Sequence, residues 1–588
     1  MKTVIVSLNS KYIHSSLAPW YLKAFCSDEC GMIGICEFTI NENPDSVLSS
    51  IFLEQADAVA FSCYIWNITY VLKVAEDLKK ISPETVIILG GPEVSYDPDI
   101  VLSEKHYIDY IISGEGERPF KSLLDFLSGK RADAELHGVT YRDGTGIIKN
   151  AMPQLIENLD SIPSPYTEEM LDSLNGRIVY FESSRGCPFS CSYCISSTFE
   201  GVRYFSLERV RNDLHKLINA GVKQIKFVDR TFNCNKQRAL EIFKFISEDQ
   251  SEVNFHFETA ADLFDDELLQ ALSGIKQGKI QLEIGIQSTN EAVHKAVARK
   301  TKIQKVLDNI SALVAFRNIH IHVDLIAGLP FEDYESFKNS FNQVYGLKSD
   351  NLQLGFLKML KGSRIRKEAD IHGYKFKSCS PYEVLENRYI SYREILELKG
   401  IEELVERYYN SGRFVNSLNY LIKESKLSAY DFFRSFLVYD QKNVHSLDRP
   451  LSSRELYKVL LGFADSEMSE AVNREFLNEL LKYDFLLSDS SNNLPNGILR
   501  EVEPGFKDRC FEFLKNEANL CVFLPRFKGI AAKQVFKTVH FEKFNYDILQ
   551  SGFICSKSKV ILFNYLFKDK VTGLYESIDI TEAFDRIL

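Results

Sequence analysis

The strongest constraint on the fold is a regular alternation of short apolar runs with amphipathic stretches over the first 360 residues. Apolar runs of this kind are typical of strands buried on both faces, and helical stretches between them indicate a parallel sheet covered by helices. From Thr3 to about Gly129 the pattern predicts a Rossmann-like α/β domain. Ligands of such a domain bind at the carboxyl ends of the strands, where the sequence has SCYIWN at 62–67, GGPEVS at 90–95 and GEGE at 114–117.

A second α/β region begins at Arg177, where the alternation resumes with a longer period. Six strand–helix units predict a partial, TIM-like (β/α)6 barrel, in which chemistry belongs at the carboxyl ends of the strands. Between the two regions lie a short hairpin pattern and a proline-containing connector. After about Lys361, long amphipathic helices and a Phe- and Tyr-rich stretch predict a mainly helical C-terminal domain of unknown role. The predicted bounds are 1–136, 137–176, 177–360 and 361–588.

Charge and the first residues limit the expected partners and location. The formal net charge is -11, from 70 Lys and Arg against 81 Asp and Glu, so nucleic acid is not favoured unless a local basic patch overrides this field. The opening sequence MKTVIVSLNS reaches polar residues before a signal-peptide core or a membrane span is complete. We therefore expect a cytoplasmic protein with no membrane span.

Three cysteines follow the first barrel strand with C-x3-C-x2-C spacing: Cys187, Cys191 and Cys194. Three thiols in one loop can converge on a single metal centre, and no fourth cysteine stands close by to complete a four-cysteine zinc or iron–sulfur site. A structural zinc site would be closed, whereas a [4Fe–4S] cluster held by three thiolates leaves one iron open to a substrate or cosubstrate. Three unrelated core thiols are the alternative. That alternative does not explain their position in a strand-to-helix loop, where a barrel carries its chemistry.

The cysteine loop, with Tyr193 before its last cysteine, resembles that of the radical S-adenosylmethionine (SAM) superfamily. The α/β domain ahead of it, with GGPEVS and GEGE, resembles the cobalamin-binding class of this superfamily, so the resemblance covers roughly residues 1 to 360. The remainder resembles the extra domain of an uncharacterised subgroup, from which no activity is carried over. The resemblance implies that the three cysteines ligate three irons and that the fourth iron binds SAM.

The resemblance also implies a set of SAM-binding residues near the strand ends of the barrel: Tyr193, Asp229, Glu258, Glu283, Gln287 and Gly328. The alternation in LEIGIQS places Glu283, Gly285 and Gln287 on one face of their strand. Buried polar groups without partners would cost several kcal/mol, in rough terms, so a polar ligand inside the barrel explains them. A buried pair with protein or water is the competing explanation. The turn at Gly328 also suits a simple strand terminator.

The first βα loop, SLNSKYIHSSLAPW, lacks the D-x-H-x-x-G motif of proteins that place a histidine beneath cobalt, and His14 is not in that motif. Either cobalamin binds without a histidine ligand, which we expect, or the domain has lost the cofactor. The residues expected nearest the corrin or its tail are Ser62, Tyr64, Trp66, Asn67, Gly90, Gly91, Glu93, Gly114, Glu115 and Gly116. Core packing by the two aromatic residues, and chain reversal by the glycines, are the alternatives.

The resemblance implies an enzyme that cleaves SAM reductively to a 5′-deoxyadenosyl radical and transfers a methyl group, carried by cobalamin, to an unactivated carbon. Cyclisation, rearrangement or oxidation without methyl transfer is a second hypothesis, and a non-catalytic cobalamin- and cluster-binding sensor is a third. The expected partners are a small-molecule or peptide substrate and an electron donor such as flavodoxin or ferredoxin. The sequence assigns no catalytic acid or base.

Overall fold

A computed structural model describes residues 1–26, 30–130, 136–144, 146–174, 176–198, 201–445, 449–491, 493–501, 503–550 and 554–587. The chain forms two compact units. The first consists of Met1–Asn309, Ile326–Asp333 and Phe356–Ser391, and the second of Ile310–Leu325, Tyr334–Gly355 and Tyr392–Leu588.

The N-terminal region is a seven-stranded sheet flanked by helices, in the strand order β2-β1-β3-β4-β5-β6-β7. Strands β1 to β5 are parallel, and β6 and β7 are antiparallel. The strands are β1 (Lys2–Asn9), β2 (Met32–Thr39), β3 (Ala58–Ser62), β4 (Val86–Gly90), β5 (Tyr110–Ile112), β6 (Val139–Arg142) and β7 (Ile147–Lys149). The helices are α1 (Ala18–Cys26), α2 (Pro44–Leu53), α3 (Ile68–Ile81), α4 (Pro92–Ser95), α5 (Pro98–Glu104) and α6 (Glu117–Leu127).

The apolar pattern of these elements explains their packing. Helix α3 buries Val71, Val74 and Leu78, which recur at helical spacing and so form one stripe against the sheet. Seven of the eight residues of β1 are buried, as expected for a strand covered on both faces. The hairpin predicted in the connector forms as β6 and β7, but it extends the edge of the N-terminal sheet through pairing of β6 with β5.

The barrel region contains all six predicted strands together with a short hairpin, β9 and β10. Its elements are α7 (Glu168–Ser173), β8 (Ile178–Phe181), β9 (Ser184–Gly186), β10 (Val202–Tyr204), α8 (Leu207–Asn219), β11 (Gln224–Phe227), α9 (Lys236–Glu248), β12 (Asn254–Thr259), α10 (Asp266–Ser273), β13 (Ile280–Gln287), α11 (Glu291–Ala296), α12 (Ile303–Phe316), β14 (Ile319–Ala327), α13 (Tyr334–Gly346) and β15 (Asn351–Phe356). In the first unit the parallel order is β13-β12-β11-β8, and in the second unit β15 lies beside β14.

The side chains of the barrel strands alternate between an apolar face and a polar face. Phe181, Phe227 and Phe257 are fully buried on the apolar face, where their rings contact one another. The residues between them, such as Tyr180 and Lys226, are polar and only partly buried. This alternation gives the barrel strands an apolar outer surface against the helices and a polar interior.

The rest of the chain is mainly helical, with one short strand pair after the barrel and three further strands near its end. The first unit adds α14 (Arg364–Lys367), α15 (Ala369–His372), β16 (Lys375–Phe376) and β17 (Val384–Glu386). The second adds α16 (Tyr392–Leu404), α17 (Val415–Ser425), α18 (Ala429–Asn443), α19 (Ser453–Glu467), α20 (Arg474–Ser488), α21 (Phe506–Lys515), α22 (Glu517–Phe523), α23 (Ala532–Val535), β18 (Val539–Phe544), β19 (Lys559–Lys568), β20 (Tyr575–Asp579) and α24 (Thr581–Phe584). Strands β18 to β20 form an antiparallel sheet. The predicted fold class is thereby confirmed. Among the described residues, no helix is long and apolar enough to cross a membrane.

Candidate active site

The cysteine loop leaves the barrel through the β9–β10 hairpin. Gly186, immediately before Cys187, has a φ of +101°, and a Cβ there would collide with the carbonyl oxygen of Gly201. Only glycine suits this backbone without strain. Further along the loop, the Ser192 amide donates to the Val297 carbonyl at 2.9 Å, and the Ser192 carbonyl accepts from the amide of Ile365 at 3.0 Å. The loop is therefore held by backbone contacts from two other segments.

The three motif cysteines, all among the described residues, form no disulfide; Cys191 is buried, and Cys187 and Cys194 are partly buried. Among the described residues, no group of three or more His, Cys, Asp or Glu side chains is arranged to share one metal ion. A [4Fe–4S] cluster does not require such a group, because each of its cysteines binds a different iron.

Arg299, which the sequence did not single out, lies beside the loop. Its guanidinium donates to the Tyr193 hydroxyl at 3.2 Å and to the Gly285 carbonyl at 2.5 Å, and its Nη1 lies 3.9 Å from the Cys191 sulfur. Burial raises the pKa of the Cys191 thiol, and the arginine charge opposes that rise. A fixed cation in this position favours the thiolate form that an iron ligand needs.

Asp229, expected to face the cavity, supports the start of the loop. Its carboxylate accepts from the Ser183 amide at 2.9 Å, from the Ser183 hydroxyl at 2.7 Å and from the Ser184 hydroxyl. The carboxylate is almost fully buried, and burial raises its pKa despite these hydrogen bonds. Its direct contact with a cofactor stays a prediction.

Glu283 lies on the polar face of β13 as the alternation predicted, and its partners are protein groups. Its Oε2 atom lies 3.0 Å from Lys226 Nζ and 3.0 Å from His256 Nε2. Burial alone would raise the pKa of Glu283, but the two hydrogen bonds and the lysine charge outweigh it and hold the pKa at about 2. Glu258, level with Glu283 in the strand register, carries a charge that acts on Lys226. These contacts pair Glu283 with protein groups, and its contact with SAM stays a prediction.

Gln287 ends β13 with a φ of 70°, and its Oε1 atom is buried without a hydrogen-bond partner. Gly285, two residues earlier, leaves room for the glutamine amide, because a Cβ at Gly285 would overlap the Gln287 side chain. Gly328 follows β14 with a φ of +90°, and its carbonyl accepts from Tyr374 and Asn387, at 2.9 Å each. Of Gly285, Gln287 and Gly328, only Gln287 has a buried side-chain polar atom without a hydrogen-bond partner.

The SCYIWN segment shows one partly exposed aromatic pair and one structural asparagine. Tyr64 and Trp66 stack with ring centroids 4.4 Å apart, and Trp66 is 47% exposed. Asn67 is fully buried, where it donates to the carbonyls of Leu8 and Ser62 and accepts from the Tyr64 amide. Asn67 therefore fixes the backbone of the segment, and the stacked pair forms a flat apolar surface beside it.

The GGPEVS segment is largely explained by internal packing. Gly91 has a φ of +115°, and a Cβ there would lie 2.5 Å from the Cys63 carbonyl oxygen, so the chain reversal itself requires glycine. Gly90 has no such conflict. Glu93 is buried and accepts from the Tyr382 hydroxyl at 2.8 Å, and its burial raises its pKa.

The GEGE segment binds the cysteine loop through arginines. Arg185, two residues before Cys187, contacts Glu115 at 3.4 Å, Glu117 at 2.5 Å and Glu182 at 3.0 Å. Arg203 on β10 also pairs with Glu115. Gly114 and Gly116 flank Glu115, with side-chain atoms of Met152 and Leu22 close to where a Cβ would stand. The carboxyl edge of the N-terminal sheet is thus joined to the start of the cysteine loop.

Relatives and solved structures are similar to large parts of the chain. The uncharacterized methyltransferase PH0819 of Pyrococcus horikoshii is 30% identical over 300 residues, covering 50% of this chain and 64% of that protein. The cobalamin-dependent radical SAM methyltransferase TokK of Streptomyces tokunonensis is 30% identical over 312 residues, covering 49% and 45%. The chain therefore matches only about half to two thirds of the length of these relatives.

Two solved structures share the fold at low sequence identity. The cobalamin-dependent radical enzyme OxsB with aqua-cobalamin has a TM-score of 0.58 at 13% identity, covering 82% of this chain and 79% of that one. The radical SAM methyltransferase TsrM of Kitasatospora setae, with cobalamin and a [4Fe–4S] cluster, has a TM-score of 0.51 at 14% identity, covering 64% and 77%. At these identities the likeness supports the fold.

Three family models match successive parts of the chain. The B12 binding domain matches residues 3–124, the radical SAM superfamily matches residues 181–344, and a protein of unknown function (DUF4080) matches residues 370–563. The chain therefore carries a match to a B12 binding domain followed by a match to a radical SAM domain. Its two named domains imply a [4Fe–4S] cluster, SAM and cobalamin as cofactors.

The residues present fit these groups. Three thiols beside the buried Arg299 cation suit a three-cysteine cluster, and the unpartnered Gln287 oxygen suits a polar ligand such as SAM at the end of β13. The Nδ1 atom of His14 lies 2.9 Å from the Tyr180 hydroxyl, and cobalamin binding without a histidine ligand stays a prediction.

The cysteine loop depends on the glycine before it. Gly186→Ala is expected to cost about 1–3 kcal/mol through backbone strain and to reduce iron retention after anaerobic reconstitution. Gly146→Ala is the matched control, because nothing lies within 4 Å of its Cβ position. Iron per chain and the thermal unfolding midpoint measure the effect. Equal iron contents in the two variants would contradict a strained loop.

The Glu283 network predicts a pH dependence of stability. The pKa of Glu283 is about 2, below its ordinary 4.5, so its contribution is complete above about pH 4.5 and declines as the pH falls toward 2. Glu283→Gln is expected to lower stability by about 1–3 kcal/mol at neutral pH and by less at pH 3. Glu252→Gln, at an exposed ion pair, is the control. Unfolding midpoints at the two pH values test this, and an E283Q deficit unchanged by acid would refute it.

Proposed function

We propose that the chain is a cobalamin-dependent radical SAM methyltransferase that adds a methyl group to an unactivated carbon. The observation that carries this proposal is the ion-pair contact between Arg185 and the GEGE segment. It joins the strand edge where a B12 domain holds its ligand to the loop that carries the motif cysteines. A radical formed at the cysteine loop and a methyl group carried at the sheet edge can then meet on one substrate, which is what this reaction needs.

The chain's own residues position and protect this chemistry. When bound, the cluster supplies the electron that cleaves SAM, and cobalamin supplies the methyl-carrying chemistry. Cys187, Cys191 and Cys194 would hold the cluster, and the Arg299 charge would stabilise the Cys191 thiolate and orient Tyr193. Gln287 would contact SAM through its buried oxygen.

The names of the relatives agree with this reaction class. PH0819 is named a methyltransferase, and TokK a cobalamin-dependent radical SAM methyltransferase. Tyr64 and Trp66 are proposed to lie against the corrin, since their stacked rings present an exposed flat surface. A cytoplasmic location and an electron donor of the flavodoxin or ferredoxin class complete the proposal.

Product analysis tests the proposed function. The protein is reconstituted anaerobically with iron, sulfide and cobalamin, and is then given SAM, a reductant and an extract of the organism that encodes it. Methyl transfer requires one SAM as methyl donor and a second as radical source, so S-adenosylhomocysteine and 5′-deoxyadenosine should form in equal amounts. 5′-Deoxyadenosine alone would favour cyclisation, rearrangement or oxidation, and neither product would favour a sensor.

A further inference from the structure

The interior of the barrel is unusually polar on the four strands of the first unit. TIM-like barrels are commonly filled by branched aliphatic side chains. Here the side chains on the inner face are polar apart from Ile178 and Gly285: Tyr180, Gln224, Lys226, Asn254, His256, Glu258, Gln281, Glu283 and Gln287. Such a surface cannot form an apolar core, and it indicates a hydrated cavity that receives a polar molecule.

The hydrogen bonds divide this interior into a closed floor and an open middle. Gln224 donates to Asn254 at 2.8 Å, and Asn254 donates to the Gly278 carbonyl, so the floor is internally satisfied. Above it, Lys226 and Glu283 form an ion pair whose side chains are 25% and 24% exposed. A structural ion pair in a packed core would be fully enclosed, whereas about a quarter of each of these two side chains is accessible to solvent.

The ion pair leaves hydrogen-bonding capacity for a ligand. Lys226 and His256 both contact Oε2 of Glu283, and no described hydrogen bond reaches its Oε1. The Lys226 ammonium has three N–H donors, and one of them donates to Glu283. One free carboxylate oxygen and one partly exposed ammonium therefore lie side by side, ready to accept from a donor and to donate to an acceptor.

The position of Glu283 along β13 sets how long a ligand bound there must be to approach the cysteine loop. Glu283 precedes Gln287 by four residues, which corresponds to about 13 Å of strand toward the edge that carries the cysteine loop. A molecule anchored at Glu283 would therefore extend along the barrel axis to place a carbon near the loop. Glu283 lies too deep to share the place proposed for SAM at Gln287.

We infer that Lys226 and Glu283 form the substrate-anchoring site, and that the substrate is a water-soluble small molecule offering an ammonium or hydroxyl donor to Glu283 and an acceptor oxygen to Lys226. This inference rests on the proposed function, because it names the substrate class for that reaction. It excludes lipids, which would have to desolvate this ion pair without replacing its contacts with water.

Ligand retention tests the inference without requiring turnover. The reconstituted protein is mixed separately with the aqueous and organic phases of a chloroform–methanol extract of the organism that encodes it, and compounds retained on ultrafiltration are identified by mass spectrometry. The variants are Lys226→Met, Glu283→Gln and the charge-swapped double variant K226E/E283K, which keeps an ion pair in reversed orientation. Lys276→Met, at an exposed ion pair, is the control.

The wild type and K276M should retain at least one compound from the aqueous phase, and each Lys226 or Glu283 variant should lose at least about tenfold in retention. The unfolding midpoint of each variant separates recognition from folding, because a variant that unfolds near the wild-type temperature should still fail to retain the compound. Retention only from the organic phase, no retention, or equal retention by all variants would overturn the inference. Failure of the proposed function would appear instead as the absence of both SAM-derived products.

Discussion

Cys191→Ala is expected to remove the cluster and with it all SAM cleavage. Changing groups that merely surround a metal site lowers metal affinity by roughly 10–100-fold, and loss of a direct ligand should exceed that. Cys191 is also the buried member of the three and the one that lies beside Arg299. The substitution therefore leaves the Arg299 guanidinium beside the alanine methyl group. We expect iron and sulfide near background and a fall in 5′-deoxyadenosine of more than about 100-fold.

Cys379→Ala is the matched control, because Cys379 is exposed and lies outside the motif. It should match the wild type in iron content, sulfide content and product formation. The unfolding midpoint of each apoprotein shows whether C191A still folds, which a small buried substitution should allow. A C191A protein that retains iron and cleaves SAM normally would remove the basis for a three-cysteine cluster, and unchanged behaviour without any SAM cleavage in either protein would favour a sensor.

The features that the sequence predicted depend on local order along the chain. The barrel strands were predictable because a strand has a period of two, and LEIGIQS placed Glu283 and Gln287 on one face of β13 without knowledge of their neighbours. The cysteine loop was predictable for the same reason, since its spacing and its place after a strand are both local. The positive φ of Gly91 fits the chain reversal that the sequence offered as one interpretation of this glycine, and its contact with cobalamin stays a prediction.

The features that the sequence did not predict depend on contacts between distant segments. Arg299 follows Ala298, a residue with a φ of 53°, and the chain turns there so that the arginine returns to the cysteine loop 108 residues earlier. Lys226 was visible as a polar residue on its strand, but only the structure brings it to Glu283. Alternation of polar residues in KQIKFVD was the one local signal for it.

The GEGE segment illustrates how a local pattern can have two interpretations. Its glycines and carboxylates at a strand end suggested a ligand-binding loop, and the structure directs Glu115 and Glu117 to Arg185, 68 residues away from Glu117. Two carboxylates beside a phosphate-bearing tail would repel it, whereas two carboxylates beside an arginine are stabilised. The direct contact of Glu115 with cobalamin stays a prediction.

Arg185→Met is expected to produce a large loss of stability. The arginine side chain is 11% exposed and contacts three carboxylates, those of Glu115, Glu117 and Glu182. Burial raises the pKa of Glu182 to about 7 even with the arginine present, and the charge of Glu117 adds to that rise. Removing one partner of a buried ion pair costs about 3–5 kcal/mol, because the remaining charges stay buried and unpaired.

Arg211→Met is the matched control, since Arg211 pairs with Glu241 at the surface and is 45% exposed. Its effect should stay within about 0.5 kcal/mol. Urea unfolding measures both variants, and iron retention shows whether R185M also loosens the loop that begins two residues later. Arg185→Lys should be intermediate, because an ammonium cannot span the three carboxylates as a planar guanidinium does. If R185M were as stable as R211M and kept its iron, the Arg185 ion pairs would not be what holds the GEGE segment to the cysteine loop. The proposal that cobalamin and SAM meet at this place would then lose its main support.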